Sequence, residues 1–103
     1  MSTVFEISTK NYTNDSMLVK KAMSHMETLT GNYNGYMFSE PSSKFGWTFF
    51  KMSLRPELED SLRKEFSDML SKYRWGNQDD RFANFLTDYF KAKGCTIKLK
   101  KLG

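Results

Sequence analysis

The stretch KFGWTFFKMSL, from Lys44 to Leu54, decides how the rest of the chain is arranged. It is the densest aromatic segment and it alternates with a period of two, the pattern of a strand with one buried face. Two frames are open. Phe45, Trp47, Phe49, Lys51 and Ser53 share one side, and Gly46, Thr48, Phe50, Met52 and Leu54 share the other. A lysine in the middle of a packed sheet face would lose its hydration with no partner in return, so Lys51 assigns the second set to the core. Phe45, Trp47 and Phe49 then point outward. A row of large aromatics exposed on a strand marks a surface that something covers, whether a terminal segment, a second copy of the chain or a foreign ligand.

Working upstream, Tyr36 to Ser39 reads as a short strand that pairs antiparallel with this segment through the connection Glu40 to Lys44, which is too long for a two-residue hairpin. Before it, Leu18, Ala22, Met26 and Leu29, widened by Val19 and Met23, form the apolar stripe of a helix from about Ser16 to Leu29. Thr13 or Asn14 caps that helix, Asp15 complements its N-terminal dipole, and Gly31 ends it. The opening TVFEIST, Thr3 to Thr9, is a half-buried strand whose Glu6 marks the outward face. Downstream, Pro56 starts a second helix, and Leu58, Leu62, Phe66, Met69 and Tyr73 carry its stripe to about Arg74. Trp75-Gly76-Asn77 interrupts the pattern, with Trp75 read as closing the core between the second and third helices in preference to serving as a further interface anchor. A third helix, about Asp79 to Lys93, presents Phe82, Phe85, Leu86, Tyr89 and Phe90 before Gly94. Cys95 to Lys101 is the last strand, with Cys95, Ile97 and Leu99 inward and Thr96, Lys98 and Lys100 outward.

The order β-α-β-β-α-α-β predicts an α+β fold forming one domain over residues 1–103: a four-stranded antiparallel sheet covered on one face by helices, with the first and third strands central. This resembles the ferredoxin-like, split β-α-β arrangement with its second crossover enlarged by a helix. An α+β sheet of another strand order is the alternative. Either way one sheet face is left open, and it carries Phe45, Trp47 and Phe49 beside Glu6, Ser8, Thr96, Lys98 and Lys100.

The composition, 39% hydrophobic and 27% charged, is that of a globular protein and excludes a disordered chain. Net charge is +4, and its location is informative: after Phe90 the chain carries Lys91, Lys93, Lys98, Lys100 and Lys101 and no acid. A basic end of this kind contacts phosphates or an acidic protein, and it also discourages edge-to-edge aggregation of the last strand. Cys95 is the only cysteine, so no internal disulfide forms. The opening MSTVFEIS lacks the basic flank and apolar run of a secretory signal, and no stretch has the length to span a bilayer. The expected setting is cytoplasmic, with no membrane.

No motif for a cofactor, a metal or catalysis accompanies these elements. His25 is the single histidine and sits beside the apolar stripe of the first helix, with nothing to tie it to Cys95 as a nucleophile pair. Asp79 and Asp80 at a helix start are explained by the helix dipole, and no further ligand is spaced near them.

Phe45-Gly46-Trp47-Thr48-Phe49-Phe50 resembles the central part of the third-strand motif of the RNA-recognition-motif family, which stacks bases on aromatic rings. That resemblance implies stacking at Phe45 and Trp47, with phosphate contacts from Lys98 and Lys100. It covers about six residues, lacks the glycine before the first ring, and does not extend to the first strand, where turning Phe5 outward would bury Glu6. The short chain, rich in Asn, Lys, Tyr and Phe, also resembles small bacteriophage accessory proteins that act by occupying a host protein. The expected function is therefore a non-enzymatic binding protein of the inhibitor or adaptor type. It would contact a protein partner, or a second copy of itself, through Phe45, Trp47, Phe49, Lys98 and Lys100; a single-stranded RNA- or DNA-binding domain is the alternative.

Overall fold

A computed structural model describes residues 2–102 as an α+β fold with an open antiparallel sheet. The strands are β1 (Thr3–Thr9), β2 (Tyr36–Phe38), β3 (Ser42–Lys44), β4 (Trp47–Leu54) and β5 (Ile97–Leu102). The helices are α1 (Tyr12–Thr30), α2 (Pro56–Glu65), α3 (Ser67–Leu70) and α4 (Gln78–Ala92). The sheet runs β2-β4-β1-β5, and β3 also pairs with β4.

The frame set by Lys51 holds. Phe50, Met52 and Leu54 are buried while Lys51 is exposed, and the partners of the core set across the sheet, Phe5 and Ile7, are buried as well. Val19, Ala22, Met23 and Met26 of α1, Leu58 and Leu62 of α2, and Phe82, Phe85, Leu86 and Phe90 of α4 close over that face. Aromatic rings dominate where α4 meets β1: the centroid of Phe82 lies 6.1 Å from that of Phe5 and 6.3 Å from that of Phe85. The amphipathic periods of α1 and α4 thus turn into one continuous core.

Several boundaries differ from the sequence reading, each for a local physical reason. α1 begins at Tyr12 because Asn11, rather than Thr13 or Asn14, supplies the cap oxygen that accepts from the Asn14 amide. Leu29 falls on the exposed end of α1. α2 does not run to Arg74; it stops at Phe66, whose ring turns toward Phe85 at 5.0 Å, and the short α3 that follows leaves Met69 exposed. α4 starts in a full capping box: the Asp80 amide donates to the Asn77 side chain and the Asn77 amide donates to the Asp80 carboxylate. Trp75 does not close the core. It is 86% exposed.

The largest difference is at the hairpin. The segment expected to be a loop contains β3, and the connection to β4 is a two-residue turn, since Lys44 pairs directly with Trp47. Phe45 and Gly46 both take positive φ, 55° and 80°, the type I′ geometry that matches strand twist. Phe45 is therefore outside the ladder, at the tip, 91% exposed. A bulky side chain pays for left-handed backbone, where Asn is tolerated. Phe45→Asn is expected to stabilise the fold by about 1 kcal/mol, read as a higher midpoint in urea unfolding; a lower midpoint would contradict the turn assignment.

Candidate functional site: the open sheet face

The face of the sheet turned away from the helices is built by the residues that alternate with the core set. Strand register orders them into cross-strand rows. Lys98, Ser8, Phe49 and Ser42 form one, and Lys100, Glu6 and Lys51 form the next. Beyond them, Leu102, Val4, Ser53 and Met37 lie at one end, and Trp47 with Lys44 and Lys10 at the other. Of the residues singled out in the sequence, Trp47, Phe49, Lys98 and Lys100 are brought together here. Phe45 lies at the hairpin tip beside this face, with the Lys44 ammonium 5.7 Å from its ring centroid.

Trp47 is the centre of the arrangement. The Lys10 ammonium lies 4.9 Å and the Lys98 ammonium 5.1 Å from its ring centroid, so two cations, one just past the end of β1 and one on β5, share one indole. Sequence reading missed Lys10, because it follows β1 and only the pairing of β1 with β4 carries it to Trp47. Phe49 is half-buried and borders a shallow depression with Glu6, Ser39, Glu40, Ser42 and Lys44. Glu6 is the acid within the rows, and Lys100 approaches it at 3.8 Å. The face is thus aromatic and cationic at the Trp47 end, cationic around Glu6 at its middle, and largely apolar at the Val4 end, with the Glu40 carboxylate at the rim of the depression.

The other polar candidates have structural partners. Asp15 is buried at the junction of three elements, accepting from the Thr9 hydroxyl, the Asn14 side chain and the Thr96 amide. Glu27, also buried, accepts from the Gly35 amide at 2.9 Å and so holds the loop before β2. Asp79 binds Arg63 and Lys101, and the Lys101 hydrogen bond holds its carboxyl below the usual range. No group of three or more His, Cys, Asp or Glu side chains is gathered around a common point among the described residues. Among the described residues, no helix is long and apolar enough to cross a membrane.

Cys95 is buried, and burial together with the nearby Asp15 charge pushes its thiol up to about 11. His25 sits on the exposed side of α1, and no hydrogen bond joins it to Cys95 among the described residues. A raised thiol value keeps Cys95 protonated at pH 8, so its thiolate is scarcer than that of an unfolded chain by roughly 100-fold. Reaction with an aromatic disulfide reagent at pH 8 is expected to be at least that much slower in the native protein than in urea; equal rates would contradict the burial.

Comparison with family models, with curated proteins and with solved structures finds no match for this chain. The reading of its function therefore rests on the open face itself.

Proposed function

We propose that this chain is a non-enzymatic binding protein that acts by contact between its open sheet face and an acidic region of a protein partner. The observation that carries this reading is the pair of half-buried rings on the open face, Trp47 and Phe49, ringed by Lys10, Lys44, Lys51, Lys98 and Lys100. Trp anchors with a charged surround are the usual energetic centre of protein interfaces. The role fits an inhibitor or adaptor in a reducing, cytoplasmic setting. The strand order supports reading the scaffold as ferredoxin-like: β2 and β3 both line the same edge of β4, so counting them as one broken strand gives four, with β1 and β4 central.

Single-stranded nucleic acid is the second reading, favoured by the two ammoniums over Trp47, which would meet phosphates around a stacked base. Two features put it second. β1 offers Glu6 and Ser8 to the face where a two-ring platform needs an aromatic, and Phe5 is in the core. Glu6 and Glu40 also place carboxylates where a phosphate backbone would run.

Capture from native cell extract, with and without nuclease, tests the proposal. A protein retained after nuclease treatment and released by Lys98→Glu is the expected result; retention that vanishes with nuclease would transfer the face to nucleic acid. Affinity for an oligonucleotide, if that were the ligand, would fall by orders of magnitude between low and moderate salt.

A further inference from the structure

Trp75 and the outer edge of β5 form a second surface, on the far side of β5 from β1. β5 is an edge strand of the sheet and among the described residues pairs with β1 alone, so its outward-facing amides and carbonyls have no strand partner there. The opposite edge is built differently: β2 and β3 are three residues each and are separated by a segment containing Pro41, which has no amide to donate. β5 has six residues and no interruption. Beside it lies a notch lined by Trp75, Asp80, Ala83, Leu99, Lys100 and Lys101, its one acid set against two lysines. An indole 86% exposed against an unpaired strand is the feature that this surface adds to the open face.

We propose that the free edge of β5 accepts an extended, acidic segment of a protein partner as an added strand, with Trp75 as its side-chain anchor. Register assigns the two sides. Residues of the added strand that face the open side meet Lys98 and Lys100, and those that face the helix side meet the notch of Trp75, Ala83 and Leu99. The segment recognised therefore alternates acidic with apolar residues, the main chain supplying affinity and the two sides specificity. A second copy of this chain is a poor occupant. In the antiparallel self-pairings of β5 that use nearly the whole strand, lysine stands opposite lysine, Lys98 against Lys100 or Lys101, or Lys100 against itself, and like charges directly opposite are destabilising. The lysines thus protect the edge from its own copies while selecting an acidic strand. This inference does not depend on which ligand the open face takes.

The probe is a capped peptide of about seven residues, a common strand length, alternating glutamate with leucine. Titrated into the full chain labelled with nitrogen-15, it is expected to slow exchange of alternate β5 amides, those facing away from β1, by roughly tenfold or more. In Trp47→Phe, where Trp75 is the only tryptophan left, emission should shift to the blue. Trp75→Ala, a change at an exposed position, and a peptide with glutamine in place of glutamate should each weaken binding roughly tenfold. Unchanged β5 exchange, or equal affinity for Trp75→Ala, overturns the proposal while leaving the open-face reading standing. Protection of β5 that grows with protein concentration and no peptide would assign the edge to a second copy. Quenching of Trp75 by an oligothymidylate, with β5 amides unaffected and no effect of the peptide, would assign the patch to nucleic acid.

Discussion

Trp47→Ala is expected to weaken capture of the partner at least 30-fold while leaving the protein folded. The size follows from the place of the residue: truncating an interface Trp at a hot spot costs about 2 kcal/mol or more. The survival of the fold follows from its side of the sheet. Trp47 is half-buried on the face away from the helices and contributes nothing to the buried cluster, so its removal opens no cavity in the core. What is lost internally is the pair of cation–π contacts with Lys10 and Lys98, each about 0.5–1 kcal/mol at an exposed site. Titration calorimetry against the captured partner and a thermal melt of the same variant separate the two effects. An unfolded variant would mean that the frame of β4 is reversed, and unchanged affinity would remove the open face from function.

Phe82→Ala is expected to cost about 3–5 kcal/mol of stability. Phe82 is 1% exposed, contacts Phe5 of β1 and Phe85 of its own helix, and carries the Arg63 guanidinium of α2 over its ring at 4.5 Å. It is thus the point where α4, α2 and the sheet meet, and its removal leaves a cavity that the two flanking rings and the Arg63 guanidinium cannot collapse into without shifting backbone. A domain of this size has about 5–15 kcal/mol in total, and each kcal/mol is worth about 4–8 °C in melting temperature, so a fall of at least 10 °C is expected. Urea unfolding should show the midpoint moving with its slope unchanged. A loss under about 1 kcal/mol would place the ring outside the core. Partner capture at a temperature where the variant is folded should persist, the reverse of the Trp47 result.

The parts of the fold legible in the sequence were those governed by neighbours two to four residues apart. Alternation along Thr3 to Thr9, Lys51 to Leu54 and Ile97 to Lys100, and the stripes of α1 and α4, survive in the structure because burying one face of a strand or helix is the same problem whatever covers it. The five-residue connection Glu40 to Lys44 misled because Phe-Gly is not a favoured hairpin pair; only the register between Lys44 and Trp47 forces Phe45 into positive φ. The stripe from Leu58 to Tyr73 misled because its period continues past Phe66, where the backbone leaves helical geometry and the ring packs on Phe85 and Tyr89 before α3 begins.

The candidate site divides in the same way. Lys51 by itself determined which side of Lys44 to Leu54 meets the core, since an unpaired ammonium is costly in any packed sheet, and the alternation of Cys95 to Lys101 determined that Lys98 and Lys100 face outward. That Lys10 and Lys98 converge on Trp47, that Phe45 stands at a turn tip, and that Trp75 lies bare beside β5 were decided by tertiary structure alone. The turn tip depends on the register between β3 and β4, and the other two on which distant elements meet; both are settled by the total burial of the closed core, a sum over residues that no local pattern contains.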